Sequence, residues 1–428
     1  MVLLIHVMRR VIRYGTVSLI DETGTRHEIT KLGKPEVVLR LTDDSISKRL
    51  VFATSMGWCE AYMDGKLLVE EGTLNGFLEA WGRSEKILAK TWFGEFLRIF
   101  YSATAAVEHY NPMGRSRRNV AHHYDLSTEL YDLFLDSDRQ YSCAYYAKGD
   151  EDLETAQLLK KRHIAAKLDI KAGMTVLDIG SGWGGMAIYL AKNFDCKILG
   201  VTLSEEQYSA SRQRVIEADL ERKVRFELQD YRTLTEPVDR IVSVGMLEHV
   251  GQHQYGQFFS KVSELLKPGG VALIHTIARM EKPQPVGAWI RKYIFPGGYL
   301  PSIAQLARAW ERNYLWVTDI ENLRLHYSKT LVQWHQRFSK NRVKIAKIYD
   351  QRFYRMWEMY LIASEVAFRV QNITVLQIQL SREIDALPIT RDYMVEAEQE
   401  LAFKDSIIAD SRPGKKAPRI TEKELEVS

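Results

Sequence analysis

The sequence predicts an α/β protein: a doubly wound sheet forms its larger part, with a smaller N-terminal α+β domain ahead and helical additions behind. Three observations carry this reading. Between residues 175 and 275 short β-rich runs alternate with helical patterns, as in successive strand–helix–strand units. The loop Gly180-Ser181-Gly182-Trp183-Gly184-Gly185 follows the first of these runs and opens a helix. Before about residue 105 short β-like runs are broken by turn residues and then give way to a helical stretch.

Length and composition bound the rest. With 428 residues the chain holds two or three domains, at ~150 residues per domain. The expected division is an N-terminal domain over 1–105, a main domain over 106–385, and an extension over 386–428 with a partly disordered tail. A hydrophobic share of 46% is that of a globular chain, and the net charge of +4 is mildly basic. No nucleic-acid partner is expected. Cys59, Cys143 and Cys196 are widely spaced, so they make neither a metal pattern nor a disulfide framework and suit a reducing compartment. The apolar start is followed by Arg9 and Arg10, the reverse of a secretory signal. No run reaches the ~20 apolar residues of a membrane span. A soluble or peripheral protein of the cytoplasm is expected.

The elements follow in order. Val17–Ile20 and Val37–Arg40 read as short strands, and a helical pattern runs from Leu67 to Tyr101 through Phe77, Trp81, Leu88, Trp92 and Phe96. Asp125-Leu126-Ser127 reads as a helix start before Leu130, Phe134 and Leu135, and another helix begins at Leu153. Strands are expected at Thr175–Ile179, Lys197–Val201, Val224–Leu228, Arg240–Val244 and Val271–His275, with Leu266-Lys267-Pro268-Gly269-Gly270 stopping a helix before the last. Beyond Ile303 the chain reads as mostly helical.

Glycines after a first strand let the backbone approach a ligand, and the helix behind them offers N–H groups. Two details point to a methyltransferase rather than a nicotinamide enzyme. Asp178 lies inside the strand, two residues before the first glycine. A carboxylate there suits the cationic amino group of methionine, whereas dinucleotide folds keep that place apolar. The next strand ends in Val201-Thr202-Leu203-Ser204-Glu205-Glu206-Gln207, with no acid at its tip to hold a ribose and with Thr202 and Gln207 available. The expected ligand is S-adenosylmethionine, on a class I methyltransferase (Rossmann-like) domain. The competing readings are a tight packing turn for the glycines and a capping carboxylate for Asp178.

Further strings point one way. They are Ala121-His122-His123-Tyr124-Asp125-Leu126, Gln140-Tyr141-Ser142-Cys143-Ala144-Tyr145, Gly245-Met246-Leu247-Glu248-His249-Val250-Gly251, His275-Thr276-Ile277 and Tyr293-Ile294-Phe295-Pro296-Gly297-Gly298-Tyr299. With the glycine loop and Val201–Ser204, they make the chain resemble the cyclopropane fatty acyl phospholipid synthases, the family that includes the mycolic acid cyclopropane synthases. The resemblance spans roughly residues 105 to 385. It implies methylene transfer from S-adenosylmethionine to a cis double bond of an unsaturated phospholipid chain, through a carbocation that loses a proton to bound bicarbonate. An alkene is a poor nucleophile, so cofactor and chain must be aligned in a dry, aromatic pocket.

By that resemblance the holders of bicarbonate are Cys143, Glu248, His275 and Tyr327, with the backbone of Ile277 nearby. Glu248 and His275 follow strands and should point from the carboxyl edge of the sheet. A carboxylate beside an anion requires that one of them share a proton; His275 can donate and adjust that balance. On its residues alone each has a plain alternative: a small buried cysteine, a surface acid, a satisfied core histidine, an amphipathic tyrosine. The implied cofactor contacts are Tyr124, Tyr141, Ser142, Gly180, Gly182, Thr202, Leu203 and Gln207, with Gln229, Asp230 and Tyr231 bordering the adenine. No metal is implied. Many members of the family carry a late cysteine where this chain has Ser364, so no role of that cysteine applies here.

A phospholipid substrate implies peripheral contact with the inner face of a membrane. Arg115, Arg117, Arg118 and the basic run 337–355 are candidates, and each cation near an anionic leaflet adds about 1 kcal/mol. The N-terminal domain, with Trp58, Trp81 and the cluster Trp92-Phe93-Phe96, is expected to bind lipid, form a homodimer or pack on the main domain. Competing functions are a lipid methyltransferase giving a methylene- or methyl-branched chain, a nicotinamide oxidoreductase and a non-catalytic lipid-binding protein.

Overall fold

Short β-branched and leucine-rich runs bury one or both faces in two separate sheets. The computed structural model describes residues 1–52, 54–88, 127–281 and 286–410. Tyr124, Arg115, Arg117, Arg118 and Trp92-Phe93-Phe96 fall outside these residues, as does the junction expected near residue 105.

The first sheet has four strands in the order β2-β1-β3-β4. Helix α1 (Val2–Val11) buries Leu4, Ile5 and Met8 on one face. Strands β1 (Gly15–Ile20), β2 (Arg26–Leu32) and β3 (Glu36–Leu41) follow, with β1 and β3 parallel. Helices α2 (Ser47–Phe52) and α3 (Thr54–Met63) lead to β4 (Leu67–Glu71), which pairs antiparallel with β3, and to α4 (Leu74–Leu88). The helical pattern expected from Leu67 therefore begins only at Leu74. The short run Leu67-Leu68-Val69 fits either periodicity, and pairing with β3 decided for the strand.

The second sheet has seven strands in the order β10-β11-β9-β8-β5-β6-β7. Helices α5 (Thr128–Asp132) and α6 (Leu153–Leu168) precede it. Then come β5 (Thr175–Ile179), α7 (Gly185–Asn193), β6 (Lys197–Thr202), α8 (Glu205–Glu217), β7 (Val224–Leu228), β8 (Val238–Val244), α9 (Tyr255–Leu265) and β9 (Leu266–Arg279). These five strands run parallel. The helix stops where expected, with α9 ending at Leu265 and Leu266 as its C-cap, but β9 starts at Leu266 and not at Val271. Val238 pairs with Leu266 but Arg240 with Val271, so the Pro268-Gly269-Gly270 segment bulges from the ladder.

Beyond residue 286 the structure has α10 (Ala288–Tyr293), α11 (Ile303–Glu311), β10 (Trp316–Asn322), α12 (His326–Lys340), α13 (Arg342–Ile348), α14 (Gln351–Val370), β11 (Ile373–Ser381) and α15 (Asp392–Asp410). The mostly helical reading missed β10 and β11. Strand β11 lies antiparallel between β9 and β10 and is buried on both faces, including Gln377 and Gln379. It therefore shows no alternation of polar and apolar residues in the sequence.

The two sheets meet through helices. The α3 side chain of Tyr62 donates to Glu358 of α14 (2.6 Å), Asn75 of α4 donates to Glu365 (2.6 Å), and Glu60 accepts from Tyr293 of α10 (2.6 Å). Trp58 is buried against Phe77 and Trp81 and donates to the carbonyl of Leu50. It is a core residue, not a lipid-facing one. Under α12 and α14 lies an aromatic cluster centred on Phe134, whose ring meets Tyr131, Tyr141, Trp334, Phe338 and Trp357 at centroid distances of 5.9 to 6.2 Å. Among the described residues no helix is long and apolar enough to cross a membrane.

Because Phe134 is fully buried and its neighbours are large and rigid, Phe134→Ala should destabilise the protein by about 3–5 kcal/mol. Urea unfolding measures this; a loss below about 1 kcal/mol would mean the cluster collapses to fill the space.

Candidate active site

The chain leaves β5 and β8 in opposite directions across the sheet, so a crevice opens at their carboxyl ends. Gly180 has φ +80° there, and a Cβ on it would stand 3.0 Å from Met246. Gly184 has φ +80° and a Cβ would meet the Phe226 ring at 2.6 Å. Both positions exclude other residues on strain and on space. The loop folds back onto β6 through Gly180 and Ser181 N–H groups donated to the carbonyl of Val201 (2.9 and 3.0 Å).

The crevice holds a cavity of about 110 Å³. Of the expected cofactor contacts it is lined by Gly180, Gly182, Thr202, Leu203, Gln207, Gln229, Asp230 and Tyr231. Thr202 donates to the Gln207 amide oxygen (3.0 Å), and Ser204 caps α8. Asp230 is claimed by Arg232, which binds both of its carboxylate oxygens (2.9 and 2.6 Å). Tyr141, Ser142 and Asp178 do not line the cavity. The lining also includes Arg232, Met246, His249 and Gln254. Met246 and His249 lay within a motif already noted; Arg232 and Gln254 carried no signal of their own.

Asp178 sits inside β5, paired with Gly200 and Val242, and is 2% exposed. Its Oδ2 is buried without a hydrogen-bond partner. Burial pushes the carboxyl up to about 7, against an opposing pull from Lys160. An orphaned buried carboxylate beneath a glycine loop suits an incoming ammonium group.

On the far side of the crevice three motifs lock together. The Gly245 N–H donates to the carbonyl of His275 (2.9 Å), and the Tyr299 N–H donates to the carbonyl of Glu248 (3.1 Å). Glu248 Oε1 accepts the N–H of Ile277 (2.5 Å), while Oε2 is buried without a partner. Ile277 thus orients Glu248, and its N–H is not spare for another ligand. Burial raises the Glu248 carboxyl to about 7, so near neutrality it is part protonated and can donate. His275 points to the same face of β9 as Ile277. Its Nδ1 faces the Gln377 amide nitrogen (3.3 Å), which leaves the ring proton on Nε2. Burial pulls its pKa down to about 3, so it is a neutral donor and does not shuttle charge.

Cys143, Tyr141, Tyr327 and Ile277 all border the large apolar core that runs from the first sheet to α14. The Ala144 N–H donates to Thr330 (3.1 Å) and the Tyr146 N–H to His326 Nδ1 (2.9 Å), which fastens the Cys143 segment to the start of α12 and so to Tyr327. Burial raises the Cys143 thiol well above its ordinary range; it is a small protonated group. Tyr141 stacks on Trp334 (5.2 Å) and shares a 2.8 Å hydrogen bond with the Tyr360 hydroxyl. The arrangement can hold an amphipathic cation beside an apolar, aromatic wall and keep a proton-accepting group out of water. Among the described residues no cluster suits a metal ion.

A profile described as mycolic acid cyclopropane synthetase matches residues 112–378. The chain is 39% identical over 369 residues to the cyclopropane-fatty-acyl-phospholipid synthase of Escherichia coli K12, covering 85% of this chain and 93% of that one. It is 33% identical over 393 residues to a tuberculostearic acid methyltransferase of Mycobacterium tuberculosis, covering 88% and 90%. Among solved structures, a mycolic acid cyclopropane synthase complexed with SAH and CTAB aligns with a TM-score of 0.60 at 35% identity, covering 63% of this chain and 99% of that one.

A carboxyl whose pKa is raised by folding weakens the fold as pH climbs from its ordinary value through the raised one. For Asp178 the window runs from 3.8 to about 7, and the full cost is on the order of 4 kcal/mol. Asp178→Asn should therefore melt higher than the parent at about pH 8, with the gap shrinking towards about pH 4. A gap that does not change with pH would show that Asp178 is ionised throughout.

Proposed function

The chain belongs to the mycolic acid cyclopropane synthetase family, and from that premise we propose that it transfers a methylene unit to the cis double bond of unsaturated phospholipid acyl chains. It is an S-adenosylmethionine-dependent methyltransferase. The observation that carries the finer reading is Glu248: a buried, near-neutral carboxyl at the carboxyl edge of the sheet, anchored through one oxygen and unpartnered at the other.

When bound, S-adenosylmethionine supplies a sulfonium methyl group, and bicarbonate supplies a base. The glycine loop and Asp178 receive the cofactor, with Thr202, Gln207 and Tyr231 along its length. Tyr141 and Ser142 complete this reading from the side of the Cys143 segment, and Tyr124 joins them by the family resemblance alone. The face of Tyr141, stacked on Trp334, suits positive charge that develops on the acyl chain. Glu248 and the His275 Nε2–H offer protons to an oxyanion, and Tyr327 and Cys143 close the group on the apolar side. Because both donors are neutral or nearly so, they orient such an anion without adding full charge of either sign.

Exposed Lys340, Arg342, Lys344 and Lys347 surround the exposed Val343 on α12 and α13. They support peripheral contact with an anionic leaflet, at about 1 kcal/mol per cation. Similarity to a tuberculostearic acid methyltransferase favours one alternative outcome, a methylene- or methyl-branched chain.

Incubation with labelled S-adenosylmethionine and monounsaturated phospholipid vesicles should give high-field cyclopropyl protons by NMR. Olefinic methylene signals would transfer the assignment to the branched product, and unlabelled lipid would refute both. Glu248→Gln should lower kcat by roughly 10²–10⁴-fold while cofactor Kd stays within about threefold. Equal losses would make Glu248 a cofactor ligand.

A further inference from the structure

Lys160 is the most buried charged side chain near the site. It lies on α6 with 0% exposure. Its Nζ donates to Gln140 Oε1 (2.6 Å) and Ser142 Oγ (2.8 Å). Among the described residues no carboxylate lies within 4.0 Å of it. A buried ammonium with only neutral partners is costly, and proteins retain one where an anion offsets it.

Three acids and a second lysine surround it at longer range. Asp138 is already neutralised by Lys161 and Arg214. Asp136 is buried and accepts the backbone N–H groups of Gln140 and Asp138. Asp178 is the orphan under the glycine loop. Ser142, an acceptor of Lys160, is the chain neighbour of Cys143, and α6, which carries Lys160, packs against β9, which carries His275. Lys160 therefore touches, by bond or by field, the cofactor floor and the proposed base site. Burial lowers its pKa to about 8, which leaves it largely charged near neutrality.

We infer that Lys160 is the fixed cation of the active site, positioning the Gln140–Cys143 segment and holding a small oxyanion in the dry interior beside Cys143 and His275. This rests on the bicarbonate reading above. The other donors there are neutral or near-neutral, so Lys160 supplies the positive charge that they lack. In the ground state the same charge favours ionised Asp178, the form that pairs with the cofactor's ammonium.

Lys160→Met removes charge and hydrogen bonds; Lys160→Gln removes the charge while still offering an N–H donor to Gln140 and Ser142 from a side chain one atom shorter. Activity is measured against added bicarbonate in carbon-dioxide-depleted buffer, with S-adenosylmethionine Kd and melting temperature followed alongside. Both variants should need at least about tenfold more bicarbonate for half-maximal rate, about 1.4 kcal/mol, while the cofactor Kd changes less. Should Lys160→Met fail to fold, Lys160→Gln carries the test. A bicarbonate response in Lys160→Gln equal to that of the parent overturns the role of Lys160 alone. A parent enzyme indifferent to bicarbonate overturns both this inference and the reading it rests on.

Discussion

The reversal of strand order at β5 and β8 is the constraint on which the rest depends. From β5 the chain steps outward through β6 to β7, then returns to β8 on the other side. Right-handed crossovers place the intervening helices on opposite faces of the sheet. The loops after β5 and β8 therefore part, and the gap between them faces outward at the carboxyl edge. The glycine loop occupies one bank of that gap. The segment that carries Glu248, just past the end of β8, forms the other through Gly245, Met246 and His249, and His275 stands on the neighbouring β9. Residues far apart in the chain face one another because parallel strands all present the same end.

The second constraint is dryness. Asp178 and Glu248 hold protons up to about 7, His275 stays neutral to about 3, and Lys160 falls to about 8. All four shifts have burial as their first cause, and each moves the group towards its uncharged form. An interior of this kind works against folding, since unpaired polar atoms such as Asp178 Oδ2 and Glu248 Oε2 lose water without gaining partners. It also strengthens every remaining dipole and charge for a ligand that enters. The aromatic cluster around Phe134 and Trp334 offsets the cost by burying large apolar faces directly beside the site.

The N-terminal sheet is tied to this arrangement through the same helices. Helix α14 carries Tyr360 to Tyr141 on one side, and Glu358 and Glu365 to Tyr62 and Asn75 on the other. Helix α10, which precedes the Tyr299 anchor of Glu248, is itself held by Glu60. Packing of the first sheet thus reaches the walls of the crevice through two helices, and Trp58, for which lipid docking, dimerisation and packing were all open in the sequence, is spent in packing.

Much of this was legible in one dimension. Strands β5 to β8 are short apolar runs bounded by turn residues, and the glycine loop announces its ligand because only glycine tolerates its dihedral angles and contacts. The strings around Glu248, His275 and Cys143 marked the family. Strand β11 was hidden because burial on both faces, with glutamines inside, erases the period of two. Strand β4 was hidden because five residues fit either period. The sequence by itself determined the cofactor class and the residue types of the site, since these depend on local spacing along strands and turns. Only the tertiary structure decided which of those groups are neutral, that the Ile277 N–H is given to Glu248, and that Lys160 lies buried among them. Desolvation and hydrogen-bond partners come from segments distant in the chain, and no local pattern records them.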